Sequence, residues 1–300
     1  MKKKYIILTL MFLLMSCYSF SSCNNSFLNN KKQSTISNTV IEESNKQLMM
    51  NTITTLAASS RSVGSKDEKK ACDYIKNKLE SYGYKTQLQT FSIPSDHSES
   101  GEIKFNSSQN LISTKKSKVN YNKGIIIICA HYDCNKDSIG ANDNASGVSV
   151  VMETARLLKN ISSDYELKFI FFGGEELGGL GSRYYIKNLS SNDKKNIKAV
   201  INIDSIAQKD GSKPSIFTIN GEKNHATMLL KNIPEYMTVQ KAVKEFSDYT
   251  IFDEAGIPSL CIGQVYDKNL KINNSQDTVS IIDESKLKLV SDIITNSLVN

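Results

Sequence analysis

The sequence is short of the residues that usually build a metal-binding module. It has three histidines and six cysteines in 300 residues. No two cysteines have the short paired spacing of a zinc site made of thiolates. The cysteines lie at Cys17, Cys23, Cys72, Cys129, Cys134 and Cys261. Buried free thiols are expected at Cys72, Cys129 and Cys261, and a disulfide stays open in a secreted chain.

The sequence also lacks a strong charge of one sign. Its formal net charge is +6. Three of the positive charges, Lys2, Lys3 and Lys4, fall in the first residues of the chain. The remaining surplus is small and scattered, whereas a nucleic-acid-binding surface needs clustered basic residues. We therefore expect no nucleic acid partner.

Long hydrophobic runs are absent as well. The apolar run from Tyr5 to Met15 follows the three lysines and is too short to cross a bilayer. Basic residues before a short hydrophobic core predict a secretory signal over residues 1–16.

The end of this signal, Leu14-Met15-Ser16-Cys17, resembles a bacterial lipobox, in which the cysteine becomes the lipidated first residue. The sequence thus predicts an extracytoplasmic lipoprotein, anchored to the bacterial cell membrane through Cys17. Lipidation at Cys23 and a plain secreted protein are the alternatives.

The rest of the chain divides by composition into a tether and one folded domain. Residues 17–40 are rich in Ser and Asn, which predicts a flexible tether. Residues 41–300 have the length of one large α/β domain. Apolar spacing predicts helices over residues 41–59, 66–82, 148–158, 222–231 and 287–298. It predicts strands over residues 85–93, 110–114, 125–128, 167–172, 197–203 and 214–219, and a further strand after Pro258.

The most informative stretch is residues 124–147. Ile125 to Ile128 form an unbroken β-branched run, typical of a strand buried on both faces of a parallel sheet. Polar side chains follow at once: His131, Asp133 and Asp143. In an α/β sheet, ligands bind beyond the carboxyl ends of the strands. An imidazole and carboxylates at that place indicate a metal such as Zn²⁺.

Two other predicted strands end in the same way. Residues 167–172 lead into Gly173-Gly174-Glu175-Glu176, and residues 197–203 lead into Asp204. Carboxyl ends of parallel strands meet at one edge of a sheet. The sequence therefore predicts a single α/β domain with a mostly parallel central sheet, helices on both faces and a metal site at that edge.

These motifs resemble the M28 family of zinc exopeptidases, over most of residues 50–300. The resemblance implies two Zn²⁺ ions bridged by Asp143. His131 and Asp204 would complete one site, while Glu176 and a final histidine would complete the other. It also implies that Glu175 is the general base and that Asp133 orients His131. The motifs are His131-Tyr132-Asp133, Gly140-Ala141-Asn142-Asp143-Asn144-Ala145-Ser146-Gly147, Phe171-Phe172-Gly173-Gly174-Glu175-Glu176, Gly181-Ser182-Arg183-Tyr184-Tyr185 and Asn202-Ile203-Asp204.

The sequence departs from the family at the final histidine. Asp277-Thr278 align with the end of the family's last motif, so Asn273 occupies the position of the histidine ligand. An amide oxygen is a poorer zinc ligand than an imidazole. We therefore expect one tightly bound zinc and a weakened second site. Cys134 is an alternative ligand, and His97 and His225 are expected on the surface. Tyr249 replaces a second family histidine.

The resemblance implies a zinc-dependent exopeptidase, in the first place an aminopeptidase that hydrolyses N-terminal peptide bonds outside the cytoplasm. Loss of the histidine leaves an alternative: a catalytically weakened or inactive lipoprotein that binds peptides. A glutaminyl-cyclase-like transferase fits less well, because those enzymes keep the final histidine that this chain lacks. The motifs alone do not separate aminopeptidases from related carboxypeptidases and dipeptidases.

Overall fold

A computed structural model of the chain describes residues 42–94, 107–117, 122–242 and 247–299. The predicted signal, Cys17, the tether and His97 lie outside the described residues. The helices are α1 Lys46–Leu56, α2 Lys66–Ser81, α3 Gly147–Leu158, α4 Leu180–Lys187, α5 Ser191–Asn196, α6 His225–Leu229, α7 Asp248–Glu254 and α8 Glu284–Ser297. The strands are β1 Thr86–Ser92, β2 Ser107–Lys115, β3 Ile125–His131, β4 Glu166–Phe172, β5 Ile197–Ile203, β6 Ser215–Thr218, β7 Val239–Lys241 and β8 Ser259–Gly263.

The strands form one mixed sheet in the order β1-β2-β4-β3-β5-β8-β6-β7. Its centre is parallel, because β4, β3, β5 and β8 all run in the same direction. Antiparallel pairs lie outside this centre, at β1–β2, β2–β4 and β6–β8. The predicted fold class is confirmed: one α/β domain with a mostly parallel central sheet.

Helices cover both faces of the sheet, and β3 shows why. Its seven residues are all buried. Ile126 and Ile128 pack into the large core cluster together with residues of α1, α2, α3 and α8. Ile127 and Cys129 pack into the opposite cluster, together with residues of α4 and α7. Alternate side chains of a strand point to opposite faces, so an unbroken apolar run requires cover on both.

Helix α2 illustrates how local sequence sets the element boundaries. The Ser65 side chain accepts a hydrogen bond from the backbone N–H of Glu68 at 3.0 Å and so caps the first turn. Ala71, Ile75 and Leu79 recur every four residues and are buried. Gly83 follows with a φ of +84°, a left-handed conformation that favours glycine after a helix.

The predicted elements are confirmed, with shorter ends for the helices at 41–59 and 222–231. The sequence did not predict β7, α4, α5 or α7. Helix α5 has no buried residue and β7 spans three residues, so neither produces an apolar period that can be detected.

The four cysteines within the described ranges, Cys72, Cys129, Cys134 and Cys261, are all buried. In this same part of the chain, no helix combines the length and the apolar character that crossing a membrane requires.

Candidate metal centre

The predicted site residues come together at the carboxyl ends of three adjacent strands. His131 is the last residue of β3, and Asp204 directly follows β5. Glu175 and Glu176 follow β4 after a turn in which Gly174 has a φ of +74°. Asp143 lies in the turn Ala141–Ser146, just before α3, and its own backbone angles (φ −110°, ψ 92°) are not helical. The sheet order places β3 between β4 and β5, so the imidazole stands between the carboxylates.

The Nε2 atom of His131 faces three carboxylates. It lies 3.2 Å from Asp143 Oδ1, 3.6 Å from Asp204 Oδ1 and 3.9 Å from Glu175 Oε2. His131 is 1% exposed. One buried nitrogen therefore points at oxygen atoms that come from the ends of β4 and β5 and from the turn before α3.

Asp133 ties two of these strand ends together. Its Oδ1 and Oδ2 accept hydrogen bonds from the backbone N–H groups of Glu175 and Glu176, at 3.2 and 3.1 Å. The same Oδ1 lies 3.6 Å from Nδ1 of His131, longer than a hydrogen bond. Asp133 thus fixes the backbone of the Glu175–Glu176 pair, while its predicted orienting of His131 stays a prediction.

The turn that carries Asp143 is held from the other end of the chain. Asp277 accepts hydrogen bonds from the backbone N–H groups of Asn142, at 2.6 Å, and Asp143, at 3.0 Å. The Asn144 amide donates to the carbonyl of Ile203, the last residue of β5. These bonds fix the position of Asp143 relative to Asp204.

Asp204 is held by hydroxyl groups on both of its oxygens. Ser205 donates to Oδ1 at 3.1 Å, and Ser247 donates to Oδ2 at 2.7 Å. Burial alone would raise the pKa of Asp204, but neighbouring His131 and these two hydroxyls hold it below its usual range.

Asn273 lies beside Glu176, as the register of the last motif predicts. With its NH₂ group turned toward the carboxylate, the amide nitrogen donates to Oε1 and Oε2 of Glu176 at 2.9 and 3.1 Å. Asn273 has a φ of +58°, a conformation that asparagine tolerates. We call Glu176 and Asn273 the Asn273 side of the site, and His131, Asp143 and Asp204 the His131 side.

The electrostatics of the site are dominated by buried carboxyl groups. Burial raises the pKa of Glu176 to about 9 and that of Glu175 well above its usual range. Burial would lower the pKa of His131, but the charges of Glu175 and Asp204 outweigh it and raise that pKa well above its ordinary value. A cation placed among these groups would stabilise their ionised forms.

The His131 side fits a zinc ion by donor chemistry. Ligand atoms of His131, Glu175 and Asp204 all lie within 4.8 Å of one another. Imidazole nitrogen with carboxylate oxygens is a set that Zn²⁺ accepts. This group contains Glu175, whereas the predicted ligand set contains Asp143, which lies closest to Nε2. The division into ligands and general base therefore stays a prediction.

The weakening of the second metal site stays a prediction. With its NH₂ group turned toward Glu176, the Asn273 amide presents a nitrogen that has no lone pair available for a cation. The alternative ligands do not lie at this place either. Cys134 Sγ accepts from the backbone N–H of Arg61 at 3.1 Å, and burial raises its pKa. His225 is exposed at the start of α6.

An open cavity of about 330 Å³ adjoins both sides of the site. Asp143, Glu175, Glu176 and Asp204 form its acidic wall. Asn273 and Ser205 also line the cavity. The less polar part of the lining consists of Phe217, Tyr249, Cys261, Tyr266, Leu270 and Ile272.

Sequence reasoning missed the residues that support the site from a distance. Arg61 is 1% exposed, and within the part of the chain that the structure describes its guanidinium donates to backbone carbonyls, among them Tyr132 at 2.8 Å and Gly140 at 2.9 Å. It thereby holds the loop between His131 and Asp143. A buried arginine leaves no periodic pattern, so no local signal marked this role.

Comparison with known proteins agrees with this geometry. Peptidase family M28 matches residues 110–298. Aminopeptidase YwaD of Bacillus subtilis (strain 168) is 34% identical over 197 residues, which are 63% of this chain and 43% of that protein. The probable lipoprotein aminopeptidase LpqL of Mycobacterium tuberculosis is 34% identical over 110 residues, 36% of this chain and 21% of that protein. The chain thus spans less than half the length of these relatives.

Solved structures show the same fold. An aminopeptidase from Aneurinibacillus sp. strain AM-1 superposes with a TM-score of 0.76 at 23% identity, over 85% of this chain and 93% of that one. BSAP, a zinc aminopeptidase from Bacillus subtilis, gives a TM-score of 0.75 at 20% identity, over 85% and 94%. With the family match covering more than half of the sequence, the chain belongs to peptidase family M28.

Proposed function

We propose that the chain is a zinc-dependent aminopeptidase that acts on peptides outside the cytoplasm. The observation that carries the proposal is the buried His131 Nε2, which faces carboxylates from two strand ends and from the turn before α3, at the wall of an open cavity. His131, Asp143 and Asp204 would hold the zinc. Bound there, zinc supplies Lewis acidity, polarising a peptide carbonyl and acidifying water.

The residues around this place have separate tasks. Glu175, 8% exposed at the cavity wall, takes a proton on Oε2 from the attacking water and delivers it to the leaving amine nitrogen. Asp133 fixes the backbone of Glu175 and so the reach of that carboxylate. Ser247 and Ser205 keep Asp204 ionised and oriented.

We further propose that one zinc binds tightly, on the His131 side. Asn273 supports this count, because its amide NH₂ faces the Glu176 carboxylate where the family has an imidazole. The same observation favours a second candidate, a catalytically weakened member of the family that binds peptides.

Metal analysis of the folded domain, run beside an assay on a panel of aminoacyl amides, tests the proposal. We expect close to one zinc per chain and hydrolysis that a chelator abolishes and zinc restores. Bound zinc with no hydrolysis of any amide in the panel would favour the second candidate, the family member that binds peptides; we call this candidate the binding module. A chain that binds no zinc would contradict both parts of the proposal.

The extracytoplasmic location and the lipid anchor at Cys17 are part of the proposal. They are supported by the lipobox-like Leu14-Met15-Ser16-Cys17 and by the relative described as a probable lipoprotein aminopeptidase. In a bacterial host, Cys17→Ala should move the protein from the membrane fraction to the soluble fraction, while Cys23→Ala should leave it in place. A Cys17→Ala protein that stays with the membrane would contradict the anchor.

A further inference from the structure

The cavity is lined by more carboxyl groups than one zinc ion can neutralise. Its wall includes Asp143, Glu175, Glu176 and Asp204, and none of the described residues that line it is Lys or Arg. In their ionised form these carboxylates carry four negative charges, of which one Zn²⁺ offsets two. A second cationic group is therefore favoured in the cavity. Zinc bound on the His131 side would leave the Asn273 side without a cation, so the second group is expected there.

The Asn273 side offers oxygen acceptors but no imidazole nitrogen. The amide NH₂ of Asn273 donates to both oxygens of Glu176, which leaves the other lone pairs of that carboxylate and the amide oxygen of Asn273. A primary ammonium group has three N–H donors on a compact charge, so it matches several acceptors placed close together. Asn273 is exposed and Glu176 half-buried, so a group entering the cavity reaches both.

The neighbouring lining suits the remainder of such a ligand. Ile272 precedes Asn273 in the chain, and Leu270 and Tyr266 line the same cavity. An ammonium bound at Glu176 would carry its own carbon chain toward this apolar surface. The first residue of a peptide has this combination, a protonated α-amino group and a side chain on the same carbon.

We propose that Glu176 and Asn273 form the receptor for the protonated α-amino group of the substrate, in the place where a second metal would otherwise bind. This inference rests on the proposed aminopeptidase function and identifies what selects a free amino terminus. Glu176 supplies the charge. Asn273 positions that carboxylate and contributes its amide oxygen.

Leucinol and N-acetylleucinol are suitable probes, because they share a side chain and a hydroxyl, contain no leucyl amide bond to hydrolyse, and differ in the charged amine. Calorimetric titration of the chain loaded with one zinc measures both. We expect leucinol to bind at least ~10-fold more tightly, the effect of charge-assisted hydrogen bonds. Glu176→Gln should remove this preference and leave N-acetylleucinol binding unchanged. Asn273→Ala should reduce it about threefold.

Control variants separate the receptor from general changes in charge or folding. Glu235→Gln removes an exposed charge away from the cavity, and Ser275→Ala alters an exposed neighbour of Asn273; both should keep the full preference. Glu176→Asp keeps the charge on a shorter side chain, so an intermediate preference is expected. Zinc content and thermal unfolding of every variant show that it is folded and loaded.

Two results would overturn the inference: equal binding of the two probes by the native chain, or an unchanged preference in a folded, zinc-loaded Glu176→Gln variant. The second would assign the amine to Asp204, Glu175 or the zinc. A separate assay with leucyl-p-nitroanilide tests the proposed function. Hydrolysis without a preference contradicts the inference alone, whereas a preference without hydrolysis contradicts the proposed function alone.

Discussion

The His131 side and the Asn273 side stand on the same sheet edge but differ in what they offer a cation. On the His131 side, a nitrogen with an available lone pair faces Asp143, 3.2 Å away, and Asp204, 3.6 Å away. On the Asn273 side, an amide NH₂ already donates to Glu176. We therefore expect the side chain at position 273 to decide whether that side binds a metal or acts as a hydrogen-bond acceptor site.

The largest expected effect comes from Glu175, which lies at the wall of the cavity between the two sides. Glu175→Gln removes a proton acceptor but keeps the shape of the side chain. Because general-base catalysis contributes on this scale, kcat should fall by at least ~10²-fold while zinc content stays unchanged. Glu254→Gln, at an exposed position, is the matched control. Loss of zinc from the Glu175→Gln variant would instead make Glu175 a ligand, as its place in the converging group allows.

The second-largest effect is expected when the Asn273 side is given an additional metal ligand. Asn273→His places an imidazole next to Glu176 at a φ that histidine also adopts. Zinc content should rise from about one toward two per chain, because imidazole is a far better zinc ligand than an amide. Any weak peptidase activity should rise too, since a second cation helps to hold the substrate and the developing oxyanion.

A variant with an imidazole added two residues away provides the control. Ser275→His lies on the same loop at an exposed position and should gain no zinc. An Asn273→His protein that stays at one zinc would mean that this loop does not bring residue 273 into ligand geometry. A protein that gains zinc without activity would favour the binding module over the enzyme.

A smaller effect is expected where Asp277 supports the His131 side. Asp277→Asn leaves one of the two backbone N–H groups, of Asn142 or Asp143, facing an NH₂ group instead of an oxygen. An unsatisfied buried donor costs about 1–3 kcal/mol, so the free energy of unfolding should fall by that amount. Denaturant unfolding measures it, with Asp73→Asn at an exposed position as control. Unchanged stability would show that Asp277 does not hold the Asp143 turn.

The structural features that the sequence predicts are those determined by residues close together in the chain. Strand β3 was predictable because four consecutive isoleucines have few alternatives to a strand buried on both faces. The polar residues after β3, β4 and β5 were predictable for a related reason, since parallel strands bring their carboxyl ends to one edge. The register of Asp277-Thr278 placed Asn273 beside Glu176, where the structure has it.

The supporting contacts could not be predicted in this way. Arg61 reaches the carbonyl of Gly140 across 79 residues of sequence, and Asp277 reaches the backbone of Asn142 across 135. A side chain that binds backbone atoms of a distant loop depends on where the folded chain passes, not on the identity of its neighbours in sequence. The orientation of the Asn273 amide belongs to the same class, because it follows from Glu176 on another element.

The zinc content of the native chain tests the central claim most directly. The folded domain, saturated with zinc and then dialysed against metal-free buffer, can be measured by inductively coupled plasma mass spectrometry. The difference between the two sides predicts close to one zinc per chain, retained in native protein and lost when His131 is replaced by alanine. Two zinc ions retained per chain would contradict the account, because the Asn273 side would then hold a metal despite its amide.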